Sequence, residues 1–133
     1  MEIFKILDHT ADLKMEFFGK NLEELLNNCA KGLSIYLYEK KGEKSLIEHQ
    51  FKFEKNEEIS FLINFLNEIL YLMQYKNFIP SKVELEENNE YLINIKGEKT
   101  DLKPIFEIKA ATYHNANIEK VRNKLKAVVT FDV

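Results

Sequence analysis

Residues 57–76 restrict the fold more than any other part of this 133-residue chain. Their apolar side chains recur at helical spacing and cover more than one face of the predicted helix. These are Ile59, Phe61, Leu62, Ile63, Phe65, Leu66, Ile69, Leu70, Leu72 and Met73. A helix with so little polar surface must be covered on several sides, so we expect it at the centre of the core. Asn56 is positioned to cap its N-terminus.

A second helix is predicted to begin at Asn21. Asn21 followed three residues later by Glu24 is typical of a capping box. The apolar residues that follow form a single stripe: Leu22, Leu25, Leu26, Cys29, Ala30 and Leu33. Cys29 is the only cysteine of the chain. Because it lies on this stripe, we expect it to pack in the core rather than to act as a nucleophile.

Strands are predicted on both sides of the two helices. From Asp12 onward, Leu13, Met15 and Phe17 point one way and the charged residues between them point the other way. The other predicted strands are residues 2–7, 46–53, 83–86, 91–95, 105–113 and 125–133, with a hairpin turn at 87–90. This pattern indicates an α+β fold, and we expect residues 1–133 to form one domain. The order of the strands does not follow from the sequence.

Charge and hydropathy exclude several classes of protein. A net charge of −3 and a single arginine, Arg122, argue against direct nucleic-acid binding, which needs a dense basic surface. No apolar run approaches the ~20 residues of a membrane span. The N-terminal residues lack the pattern of a secretory signal. We therefore expect a soluble cytoplasmic protein that contacts neither membranes nor, directly, nucleic acid.

Asp8, His9 and Asp12 form the densest polar cluster of the sequence. Carboxylate oxygens suit Ca²⁺, Mg²⁺ or Mn²⁺, and an imidazole tolerates softer ions. The alternative is a turn in which Asp and Thr side chains bind backbone N–H groups, and the local spacing favours that reading.

Asp132 and Val133 are a second candidate site. If the first and last strands are neighbours, the side chains of Asp12 and Asp132 and the α-carboxylate of Val133 converge. Three carboxylates without a cation repel one another, and a bound metal ion resolves that conflict. The alternative is a solvated acid at a frayed terminus.

Lys109 and His114 are further candidates. Lys109 shares a predicted strand face with Glu107, so the two either form a surface salt bridge or leave the lysine to face a phosphate, an acidic partner or the metal cluster. His114 is either a general base or a turn residue, and the turn is favoured. The phosphate-binding, dinucleotide, nucleophile-elbow and zinc-protease motifs are absent, so no catalytic residue is assigned.

Several blocks of the sequence together resemble the archease family, in the family's order and over essentially the whole chain. They are Asp8–Asp12, Gly19, Asn21–Leu26, Phe65–Leu72, Gly97–Glu98, Glu107–His114 and Phe131–Val133. Phe65 stands where relatives often have tryptophan. Asp8 stands where they frequently have glutamate, so we rank it below Asp12.

The resemblance implies an accessory protein of the RtcB-type RNA ligase, which joins RNA ends in tRNA splicing. Such a protein promotes GMP transfer onto the ligase and multiple turnover without being the catalyst. The implied fold is a mixed sheet with two principal helices. The implied metal ligands are Asp12, Asp132 and Val133, with Ca²⁺, Mg²⁺ or Mn²⁺ as the ion, and the implied functional lysine is Lys109. Asp8, His9 and His114 are further candidate partner contacts.

Two other functions stay open on the sequence. A chaperone-like modulator of an RNA-modifying enzyme would work without the metal. A metal-dependent phosphohydrolase would use Asp8, His9, Asp12 and Asp132, but no general base with an evident partner supports it.

Overall fold

The computed structural model describes residues 2–7 and 12–133. The elements in chain order are β1 Phe4–Leu7, β2 Leu13–Gly19, α1 Leu22–Tyr38, β3 Ile47–Glu54, α2 Glu58–Tyr75, β4 Phe78–Glu87, β5 Glu90–Lys99, β6 Ala110–Val121 and β7 Lys124–Asp132. The strands form a four-stranded sheet of order β1-β2-β7-β6 and a three-stranded sheet of order β3-β5-β4. The α+β class with two principal helices is confirmed.

Among the described residues, every pair of neighbouring strands is antiparallel, so the strands form two antiparallel sheets rather than one mixed sheet. Short connections explain three of the five pairs, because β1–β2, β4–β5 and β6–β7 are each consecutive in the chain. Parallel neighbours would need long crossover connections.

Each helix contacts both sheets. Helix α1 packs against β2 and β4, and α2 packs against β6 and β4. This position explains why α2 is apolar around most of its circumference, and the expectation that it is central to the core is confirmed. Its fully buried residues include Phe65, Leu66 and Ile69. Neither helix of the described ranges is long and apolar enough to cross a membrane.

The predicted start of α1 is confirmed with Asn21 as the N-cap, but the Glu24 carboxylate bonds to the N–H of Lys20 and not to that of Asn21, as a full capping box would require. The Glu24 N–H donates to the Asn21 side-chain oxygen at 2.9 Å, and the Glu24 carboxylate accepts from the Lys20 N–H at 2.9 Å. Cys29 is fully buried, and burial raises the pKa of its thiol far above the ordinary value. Since only the thiolate is a good nucleophile, Cys29 is a packing residue, as the apolar stripe predicts.

Two local predictions are wrong. Glu57, not Asn56, is the N-cap of α2, and the Asn56 side chain donates instead to the Glu54 carboxylate at the end of β3. The strand predicted over residues 105–113 begins only at Ala110 and continues to Val121. The backbone N–H groups of this segment bond to three different elements instead of to one continuous strand: Ile105 to Leu37 of α1, Ile108 to Gln74 of α2 and Lys109 to Asp132 of β7.

Candidate functional site

The pairing of β2 with β7 brings two predicted metal ligands to the same end of a sheet. Leu13 lies opposite Phe131, and Asp12 and Asp132 are the next residues beyond that pair on the two strands. Directly opposed residues in an antiparallel pair have Cβ atoms about 5 Å apart, close enough for two carboxylates to share one cation. Both aspartates are exposed, and Val133 follows Asp132. We call Asp12, Asp132 and Val133 the acidic tip.

The donors at the acidic tip are all oxygen atoms, the ligands that Ca²⁺, Mg²⁺ and Mn²⁺ prefer. The residues present therefore fit a hard divalent cation. Within residues 2–7 and 12–133, no three or more His, Cys, Asp or Glu side chains form a cluster. Asp8 and His9, the other predicted ligands, lie outside the described residues.

Lys109 lies beside the acidic tip. Its backbone N–H donates to the Asp132 carbonyl oxygen at 2.7 Å, and its side chain is exposed. Lys109 therefore precedes β6 instead of sitting inside a strand. None of the ion pairs in the described ranges joins it to Glu107. The structure places the Lys109 backbone next to Asp132, and the role of its side chain stays a prediction.

Two amide side chains of α2 hold the segment that carries Lys109. The Asn67 amide accepts from the Ala111 N–H at 2.7 Å and donates to the Ala111 carbonyl at 3.2 Å. The Gln74 amide makes the same pair of bonds with Ile108, both at 2.8 Å. Neither Asn67 nor Gln74 was among the site residues predicted from the sequence. Their seven-residue separation, which repeats one helix face after two turns, is the signal that could have identified the pair.

A Gln74→Ala variant tests this attachment. It leaves the N–H and carbonyl of Ile108 without their partners in a half-buried place, so we expect a loss of about 1–3 kcal/mol in the free energy of unfolding. Urea denaturation measures that loss, and hydrogen exchange should show weaker protection of the Ile108 amide. Gln50→Ala, at an exposed position of β3, is the matched control and should change stability by less than about 0.5 kcal/mol.

His114 lies in an irregular part of β6. The β6–β7 register shifts between Thr112 and Asn117, and four residues of β6 oppose one residue of β7 there. Asn115 within this bulge has a left-handed φ of 54°, and its amide lies 3.3 Å from the His114 ring. The side chains of Tyr113 and His114 are exposed. His114 thus lies on an exposed bulge of β6, and its role stays a prediction.

Comparison with known proteins identifies the family. The model of the Archease protein family (MTH1598/TM1083) matches residues 4–133. The archease of Methanosarcina barkeri is 32% identical, with 98% of this chain and 95% of the relative covered. The archease of Pyrococcus furiosus is 31% identical over 86% of each chain.

Solved structures agree. A 2.0 Å crystal structure of an archease, named a possible chaperone, from Thermotoga maritima matches with a TM-score of 0.69 and 26% identity, covering 97% of this chain and 96% of that one. The solution structure of protein 1598 from Methanobacterium thermoautotrophicum matches over 100% of both chains with a TM-score of 0.77. At 22% identity that second match shows the fold alone. With the family model matching residues 4–133, the chain belongs to the archease family.

Proposed function

We propose that this archease is a cytoplasmic activator of an RtcB-type RNA ligase of tRNA splicing. It promotes guanylylation and multiple turnover of the ligase, and it is not itself the catalyst. The observation that carries the proposal is the β2–β7 register, which brings Asp12 and Asp132 to one end of the sheet beside Lys109. A contact surface at the end of a sheet can enter a cleft of another protein.

The acidic tip would hold the divalent cation through oxygen atoms of Asp12, Asp132 and Val133. When bound, the ion would supply positive charge that offsets the repulsion among these carboxylates. Lys109, whose side chain is exposed, is held at the same end of the sheet by its backbone bond to Asp132. Opposite charge on the ligase cleft would raise the rate of association, because complementary potentials steer diffusional encounter.

The test is GMP transfer to a cognate ligase with archease present in substoichiometric amount. We expect the wild type to guanylylate many ligase molecules per archease. Asp12→Asn should reduce the rate at least 10-fold because it removes one of the charged groups of the tip. The matched control is Asp101→Asn, an exposed aspartate outside the β2–β7 pair that should stimulate normally. Normal stimulation by Asp12→Asn would show that the tip is not the active surface.

A chaperone-like function is the second candidate, and the description of the Thermotoga maritima relative as a possible chaperone favours it. A chaperone of this kind would not need the metal. It would keep its effect on a client protein after Asp12→Asn or after deletion of Val133, and the activator would not.

A further inference from the structure

A contiguous apolar surface is exposed where α2 ends and where the chain approaches β6. It is formed by Tyr71, Tyr75, Ile105 and Phe106, which we call the aromatic patch. Tyr75 is 70% exposed and Phe106 is 52% exposed. Tyr71 stacks on Tyr75 with ring centroids 5.9 Å apart. Tyr75, Ile105 and Phe106 line one shallow depression of about 350 Å³. A cluster of large apolar side chains that are exposed together often marks a site of interaction with another molecule.

The segment that carries half of this patch is fixed in place. The Ile105 N–H donates to the Leu37 carbonyl at the end of α1, at 2.7 Å. Ile108 is buried and doubly bonded to Gln74, and the Lys109 N–H bonds to Asp132. These bonds fix the backbone on both sides of Phe106, and its ring stacks on Tyr36 of α1 with ring centroids 4.8 Å apart. A surface ordered in advance loses less entropy on binding.

The same segment links the aromatic patch to the acidic tip. Phe106 stands three residues before Lys109, and an extended chain advances at most about 3.6 Å per residue, so the two Cα atoms lie within about 11 Å. A protein–protein interface of ordinary size covers about 800 Å² on each partner, which is about 30 Å across. One partner that contacts the acidic tip is therefore large enough to reach the aromatic patch as well.

We propose that the aromatic patch is a second contact surface for the ligase, seated on an apolar area beside the cleft that receives the acidic tip. This inference rests on the proposed function. The two surfaces have separate effects: the patch supplies affinity, because buried aromatic anchors dominate binding energy, and the tip supplies the effect on guanylylation.

The experiment measures both quantities for each variant with the cognate ligase: the Kd, and the guanylylation rate at saturating archease. Tyr75→Ser combined with Phe106→Ser should raise the Kd at least about 30-fold and leave the saturated rate unchanged. Asp12→Asn should lower the saturated rate and change the Kd only a few-fold. Leu46→Ser is the matched control, because Leu46 is 75% exposed just before β3 and should bind as the wild type does.

Thermal unfolding of each variant shows whether it is folded. If the double variant does not fold, Tyr75→Ser alone carries the test. Its side chain is the most exposed of the patch, and its Kd should rise about 5- to 10-fold.

An unchanged Kd in the folded patch variants, with wild-type stimulation intact, overturns the inference and leaves the proposed function standing. Together with an unchanged Kd, either of two further effects of the patch variants would assign the patch to another partner. Loss of self-association in sedimentation velocity would mean that it binds a second copy, and loss of protection of an unfolded client would mean that it serves a chaperone. A wild type that neither binds nor stimulates the cognate ligase overturns the proposed function together with the inference.

Discussion

Replacing Phe65 by alanine is expected to lower the free energy of unfolding by about 3–5 kcal/mol. Phe65 is fully buried in α2, and this helix packs against both sheets. Removal of the ring therefore leaves a cavity that the surrounding side chains fill only in part. Such a loss is a large fraction of the roughly 5–15 kcal/mol that stabilises a typical domain. Urea denaturation followed by circular dichroism measures it.

Tyr71→Ala is the matched control for Phe65→Ala. Tyr71 also lies in α2 and also carries an aromatic ring, but the ring is 48% exposed, so we expect its removal to cost less than about 1 kcal/mol. If Phe65→Ala cost no more than Tyr71→Ala, α2 would not be the centre of the core. The wild-type phenylalanine itself departs from the tryptophan that the family resemblance suggests at this position.

The sequence predicts the two helices and the inward-facing side of several strands because these follow from local periodicity. The alternation at Leu13, Met15 and Phe17 identifies three fully buried residues of β2. The spacing of Asn21 and Glu24 identifies the start of α1. Both patterns lie within a single strand or a single helical turn, so both predictions can be made without knowing the tertiary fold.

Contacts between distant parts of the chain explain what the sequence could not show. Residues 105–109 alternate like a strand, yet their hydrogen-bond partners are Leu37, Gln74 and Asp132, which lie in three different elements. The division of the strands into two sheets is also a tertiary property. So is the tight packing at Gly97, where an added Cβ would overlap the Ile79 carbonyl oxygen.

The candidate site also combines features that the sequence predicts with features that depend on the tertiary fold. Asp12 and Asp132 were recognisable as suitable ligands from their chemistry, but their approach depended on β2 pairing with β7. The structure supplies that pairing. Lys109 was predicted inside a strand, but it precedes β6. Its bond to Asp132 is made by the backbone, so the pattern of side chains could not reveal it. The amides of Asn67 and Gln74 were missed as anchors because each bonds to backbone atoms remote in sequence.

Divalent cations are expected to raise the stability of this protein, and the acidic tip is expected to carry that effect. A ligand that binds only the folded state stabilises it by about 2.7 kcal/mol at 100 times its Kd, which thermal unfolding detects easily. We therefore expect Ca²⁺, Mg²⁺ or Mn²⁺ to raise the Tm of the wild type in titration. Asp12→Asn and Asp132→Asn should each remove most of the shift, because each deletes one charged oxygen ligand.

Asp101→Asn is the control, because it leaves the acidic tip intact and should keep the full rise in Tm. It separates binding at the tip from a general effect of salt on a chain of net charge −3. Screening alone would raise the Tm of all the variants equally, and KCl at the same ionic strength would reproduce the rise. Equal shifts for wild type, Asp12→Asn and Asp132→Asn would thus assign the effect to screening. Loss confined to the two tip variants would assign it to a metal ion held where β2 and β7 meet.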